Sequence, residues 1–176
     1  MKRKRARGDG FFAAAETLPY WPRGVLLGQQ TGDSCVAACC RMLLFDQFPE
    51  LRNNYRYSES FFRTALGTDQ EGSTISITPG VLQSFGLART YVYRKDLVIE
   101  DLRNLVRLAP VIAIVEAGSV GRLHALVVDE ISADLVAIRD PLVEIYGVAY
   151  KISLDSFLPH WLDLKTGCGS ALTVLE

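Results

Sequence analysis

The sequence has 176 residues, 49% of them hydrophobic and 22% charged, with a formal net charge of -1. That is enough apolar chain for one domain with a real core, and it excludes an intrinsically disordered protein. The near-zero charge excludes a broad nucleic-acid footprint, so no nucleic-acid partner is expected, and no run of ~18 apolar residues is present to give a membrane span.

The charge is unevenly placed. Lys2, Arg3, Lys4, Arg5 and Arg7 against Asp9 give residues 1–10 a charge of +4, leaving -5 for the rest. Such a run is ordinarily a solvated terminus or a cut inside a longer protein; attachment to nucleic acid, an acidic partner or a membrane surface is the functional alternative. Gly-Asp-Gly follows, not the apolar stretch of a signal peptide. Residues 1–24 therefore read as a basic N-terminal extension. Its Phe11, Phe12, Tyr20 and Trp21 predict that part of it packs onto the body, 25–176.

Helical spacing after Asp33 or Ser34, either of which can cap, predicts a helix to about Phe45. A second short helix is expected over Ser58–Leu66, closed by Gly67, and residues 67–74 form a loop. Thr78-Pro79 reads as an N-cap and first-turn proline for a helix to about Phe85. Ala88–Tyr93 is strand-like, and Ile99–Leu108 is helical, with Leu102, Leu105 and Val106 on one face. Pro110–Val115 is a buried strand. Leu123–Val128, Leu135–Arg139 and Tyr146–Ile152 are further strands, joined by Gly, Asp and Ser turns. A helix over Ser153–Trp161 and a last strand over Ala171–Leu175 complete the chain. Helices first and mostly antiparallel strands second make an α+β fold, with a cleft expected between the two halves.

Residues 28–42, GQQTGDSCVAACCRM, crowd three of the four cysteines into one segment. A metal site, a buried helix and a catalytic thiol are the three readings. A metal site is disfavoured, because no Cys-x-x-Cys pair exists and only two histidines are present. Adjacent Cys39 and Cys40, with Cys35 four residues before Cys39, do not make a disulfide framework; reduced thiols in a cytosolic, cytoplasmic compartment fit better. At a helix N-terminus, Cys35 gains thiolate character from the helix dipole and free N–H groups. Cys39, Cys40 and Cys168 read as packing residues.

A thiol nucleophile needs an imidazole to take and return a proton. His124 enters a strand just after a Gly-containing turn; His160, beside Pro159, reads as a surface or partly packed residue. Asp140 ends the strand that follows His124 by a hairpin, so neighbouring strands can set carboxylate and imidazole side by side. Gln29, six residues before Cys35, can donate to an oxyanion together with the Cys35 N–H; Gln30 is its competitor.

Gln, Cys at a helix start, His entering a strand and Asp closing the next follow the order of papain-like cysteine peptidases. The sequence resembles the bacteriocin-processing peptidases that cut leader peptides after a double glycine. Gln29, Cys35, Ala38, Cys39, Met42, His124, Asp140 and Pro141 carry the resemblance, which covers about residues 25–175. Val36 stands where that family has Gly, Asp33-Ser34 where it has a single Asp, and Cys40 where Leu is usual.

The resemblance implies a helical half carrying the nucleophile, packed on a mostly antiparallel sheet. It also implies a cofactor-free cysteine endopeptidase acting on a protein or peptide substrate. The longer tail before Gln29 and the altered Cys motif depart from that family and point to a bacterial toxin or effector protease domain, delivered into a target cell by a larger carrier and held in check by an inhibitor or immunity protein. A stand-alone leader peptidase is the alternative. Glutamine deamidation or acyl transfer on the same triad, and a catalytically dead binding module, remain open as other classes.

Overall fold

The structure, a computed structural model, describes residues 11–12, 15–85, 90–117, 122–142, 146–163 and 166–175. The basic run at 1–10 lies outside them, as does the predicted strand start at Ala88.

Helix α1, Cys35–Gln47, has apolar residues on every side, and nine of its 13 residues are buried. A helix apolar all round belongs inside a domain, and α1 is wedged between the sheet and the shorter helix α2, Glu59–Ala65. Ser58 caps α2 by accepting from Phe61 N, and Gly67 leaves it with a φ of 60°. Helix α3, Thr78–Ser84, starts one residue earlier than its Thr-Pro signal predicts. A 3-10 turn over Ile75–Ile77 runs straight into it, so Thr78 is already helical and buried, and Ile77 takes the cap position.

All strand pairs are antiparallel. They comprise β1 (Leu18–Pro19), β2 (Thr90–Leu97), β3 (Val111–Ala117), β4 (Arg122–Ile131), β5 (Leu135–Asp140), β6 (Val148–Ser153) and β7 (Gly169–Leu175), in the spatial order β1-β6-β5-β4-β3-β7-β2. The predicted strands are all present, with β2 and β4 running further than expected. The N-terminal extension contributes an edge strand of its own, β1, paired to β6.

The sheet is covered on both faces, which goes beyond a helical half stacked on a sheet half. Ile112, Ala125, Val127 and Leu172 face α1, α2 and α3. Val111, Ala113, Leu126, Val128 and Ile138 face α4 (Ile99–Leu108) and α5 (Leu154–Trp161). Strand alternation explains the sorting, since successive side chains point to opposite faces. Each large aliphatic side chain so buried stabilises by roughly 1.5–3 kcal/mol. Phe12 sits in the α4/α5 core at 3% exposure, so the extension is anchored in the body as its aromatic content predicts.

A bulge between Val128 and Glu130 disturbs the β4–β5 ladder at Asp129. Asp129 and its neighbour Asp46 on α1 receive the wholly buried Arg139 guanidinium, with Nη2 2.8 Å from Asp46 and 2.7 Å from Asp129. Arg139 Nη1 also donates to Val25 O at 2.6 Å, tying the segment before α1 to the sheet.

Candidate active site

The N-terminus of α1 meets the first part of β4 here. Cys35 is the first residue of α1, and Ser34 holds the cap position without capping. The Ser34 hydroxyl instead donates to Glu59 Oε1 at 2.5 Å, with Thr31 O 2.9 Å away, and accepts from Thr31 N at 3.1 Å. Asp33, the other predicted cap, is bound to the Thr31 hydroxyl and to Arg63. The turn before the thiol is thus built by side chains that fold it tightly rather than by capping.

His124 hydrogen-bonds Cys35, and its Nε2 lies 2.8 Å from Asp140 Oδ1, leaving Nδ1 as the ring nitrogen for the thiol. The hairpin β4–β5 makes this possible. Val127 pairs with Arg139, which sets Asp140 opposite Leu126, two residues from His124 and on the same face. Asp140 is fully buried and takes four donors. His124 Nε2 and Leu142 N reach Oδ1, at 2.8 and 2.9 Å. Tyr150 Oη and Phe11 N reach Oδ2, at 2.8 and 2.6 Å.

These contacts set the charges. Burial pushes the Cys35 thiol up, but the hydrogen bond and charge of His124, with backbone hydrogen bonds at Ala125 and Val36, outweigh it and hold the thiol below its ordinary value. Burial disfavours a charged His124, yet the bonds to Asp140 and Cys35 and their negative charge raise it to about 9. Burial also works against the Asp140 carboxylate; His124 and the N–H groups of Leu142 and Phe11 keep it below the usual range. These shifts favour a thiolate facing an imidazolium, with a carboxylate behind it. Burial pushes the Cys39 and Cys40 thiols up, so within α1 only Cys35 is activated. Cys168 is half-buried near the end of the chain.

Gln29 is buried in the loop before α1, whereas the competing Gln30 side chain is exposed. Gln29 N donates to Pro141 O at 2.7 Å, so the loop is tied to the Asp-Pro turn from the far side of the sequence. Gln29 Nε2 donates to Thr31 O at 2.9 Å, and its Oε1 is buried without a partner. One of the two amide hydrogens is therefore committed to Thr31, and Gln29 is not among the residues lining the cleft that Cys35 and His124 open onto. His160 is not with Cys35; its Nδ1 lies 2.9 Å from Glu116 O.

Cys35 and His124 open onto a cleft of about 350 Å3, walled by Val36, Ala125, Tyr93, Lys95 and the loop 71–76. No described residue of the N-terminal extension lines it. A larger hollow, about 760 Å3, lies by Tyr20, Trp21 and Arg52. It has neither a thiol nor an imidazole among its lining residues, so the smaller cleft is the candidate site.

Two supporting residues escape the sequence reading. Glu59, wholly buried at the start of α2, accepts from Gln30 N at 2.6 Å and from Ser34, and lies 3.6 Å from Arg41. An acid in the first turn of a helix looks ordinary in sequence. Tyr150 looks like any aromatic in a strand. Neither carries a local signal of its role.

No family model matches the sequence, and no curated protein matches it. Solved structures do match in fold. The peptidase domain of Streptococcus ComA, a bi-functional ABC transporter involved in quorum sensing, superposes with a TM-score of 0.60 at 20% identity, over 85% of this chain and 96% of that one. A double glycine motif protease from an AMS/PCAT transporter, in complex with its leader peptide, superposes with a TM-score of 0.60 at 16% identity, over 86% of this chain and 91% of that one. The peptidase domain of Streptococcus mutans ComA gives a TM-score of 0.54 at 20% identity, over 86% and 98%. The chain therefore has the papain-like fold of these peptidase domains.

Proposed function

We propose that the protein is a cysteine endopeptidase in which Cys35, His124 and Asp140 are the catalytic set. The single observation that carries this reading is the array Cys35–His124–Asp140, with the thiol lowered, the imidazole raised to about 9 and the carboxylate fully hydrogen-bonded. A substrate carbonyl in the cleft would be attacked by the Cys35 thiolate. The Cys35 N–H stabilises the oxyanion, and the second amide hydrogen of Gln29 is the proposed partner donor. His124 gives its proton to the leaving amine, which departs, and the acyl group stays on sulfur. His124 then takes a proton from water, hydroxide attacks the thioester, and the thiolate leaves. Asp140 keeps the imidazole oriented throughout. Every step is carried by these side chains and water.

Two settings supply such a substrate. The likeness to a protease held in complex with a leader peptide favours a peptide leader threaded through the cleft. An effector protease domain, with an immunity protein as its inhibitor, uses the same chemistry on a folded target. Incubation with a double-glycine leader peptide and, separately, with a bacterial lysate distinguishes them, using wild type and Cys35→Ala side by side. Cleavage by wild type alone supports the peptidase, and the arm in which it occurs names the setting. A gain of about one dalton without cleavage identifies a deamidase. No covalent product in either arm, with a thiol that titrates as an ordinary one, means a binding module.

A further inference from the structure

The extension contributes more than packing. Phe11 N donates to Asp140 Oδ2 at 2.6 Å. The Phe11 ring lies parallel to the His124 imidazole, with centroids 5.5 Å apart and an interplanar angle of 8°. The same ring meets His160 edge-on, also at 5.5 Å. Phe12 anchors the pair, buried against Phe157 and Tyr150 with centroids 6.2 and 6.4 Å away. One residue, 129 positions from Asp140 in sequence, thus touches both members of the His–Asp pair.

Each contact has a distinct effect. A buried carboxylate needs its oxygens occupied, and a charge-assisted N–H bond to Oδ2 fixes which oxygen is left for His124. The parallel ring fixes the imidazole plane and helps hold His124 at 7% exposure. Both act behind the imidazole, away from the cleft.

On the reading of Cys35, His124 and Asp140 as the catalytic set, we propose that Phe11 is a positioning residue, whose backbone N–H and ring hold Asp140 and His124 in register with Cys35. Through Phe11, the N-terminal extension is then a working part of the site.

The test is the rate of Cys35 alkylation by iodoacetamide against pH, in the full chain, with peptide mapping. Wild type, Phe11→Pro, Phe11→Ala, Phe11→Tyr and His124→Ala are compared. Phe11→Pro removes the N–H together with the ring, so its difference from Phe11→Ala reads the N–H. Without that donor the carboxylate protonates at higher pH, because the bond favours its anion. The other groups facing Asp140 are His124 from β4 and Tyr150 from β6, with Cys35 and Cys39 near from α1. They are unchanged, so the low-pH end of the reactive window should move up relative to Phe11→Ala. Phe11→Ala removes the ring and should slow alkylation at pH 6.5 roughly tenfold, with Phe11→Tyr restoring it. Labelling of buried Cys39 and Cys40 reports unfolding in every variant, so loss of fold is read separately. If Phe11→Pro does not fold, the Phe11→Ala and Phe11→Tyr pair decides.

Phe11 variants with the wild-type profile, in a protein whose low-pH reactivity His124→Ala abolishes, overturn the proposal and leave the peptidase reading standing. A wild-type Cys35 that titrates as an ordinary thiol, unaffected by His124→Ala, overturns both.

Discussion

Arg139 and Asp140, adjacent and both wholly buried, leave β5 on opposite faces of the sheet. Arg139 passes towards α1, to Asp46 and Asp129, while Asp140 turns to His124. One strand end therefore supplies both an ion pair that holds α1 to the sheet and the carboxylate behind the imidazole. Each charge has its own hydrogen-bonded partners of opposite sign, so two adjacent ionised groups are tolerated in a core.

The pH profile of Cys35 follows from this arrangement. The thiolate–imidazolium pair exists between the lowered thiol value and about 9, where His124 loses its proton. Asp140→Asn removes the charge that helps raise His124, so the alkaline limb should fall from about 9 towards the ordinary 6.5. Because the folded value of His124 lies above the unfolded one, its pairing contributes stability fully below 6.5 and loses it as pH rises through about 9. Alkylation rates and thermal melts of wild type and Asp140→Asn across pH 5–10 check both, on the order of the shifts named. An alkaline limb that stays in place in Asp140→Asn contradicts the assignment.

Arg139→Met removes a wholly buried cation from two half-buried carboxylates. Removing one partner of a buried pair typically costs about 3–5 kcal/mol. Urea unfolding at pH 7 should show a loss of that size, shrinking at low pH as Asp129, whose carboxyl burial pushes up, protonates. A loss below about 1 kcal/mol would place this cluster with exposed ion pairs instead.

Glu59→Ala leaves Gln30 N without its acceptor and the Ser34 hydroxyl with Thr31 O alone. The expected cost is on the order of 3 kcal/mol, with slower alkylation of Cys35, because the loop before the thiol loosens. Glu59→Gln keeps the acceptor oxygen and should lose less on both counts. Equal effects of the two variants would show that the charge, facing Arg41, matters more than the acceptor.

Gly147 precedes β6 with a φ of 62°, and a Cβ there would stand 2.7 Å from Leu27 O and 3.0 Å from Asp140 O. Gly147→Ala adds left-handed strain to a backbone clash, for a loss of at least ~2 kcal/mol. Leu27 lies two residues before Gln29, whose N–H bonds Pro141 O, so Cys35 reactivity should drop along with stability. A variant of wild-type stability would mean that this close approach is not kept in solution.

Much of this arrangement was legible in the sequence. Helix α1 beginning at Cys35, the strand of His124 and the hairpin leading to Asp140 all follow from periodicity and turn residues, which act over a few positions. The hairpin explains why His124 and Asp140 could be paired in advance: neighbouring strands bring residues 16 apart onto one face. Cap chemistry was less legible, since Ser34 and Thr78 each look like N-caps and neither caps. The tertiary structure diverts the Ser34 hydroxyl to Glu59 and runs a 3-10 turn into Thr78.

The sequence by itself determined the order of elements, the thiol at a helix start and its candidate His and Asp partners. Only the tertiary structure decided what surrounds them: Phe11 and Tyr150 on Asp140, Glu59 beneath the loop, Asp46 and Asp129 around Arg139, and helices on both faces of the sheet. The physical reason is range. Helical and strand periodicities and turn conformations are set by neighbours in the chain, whereas a hydrogen bond between residues 129 apart exists only once the whole core has packed.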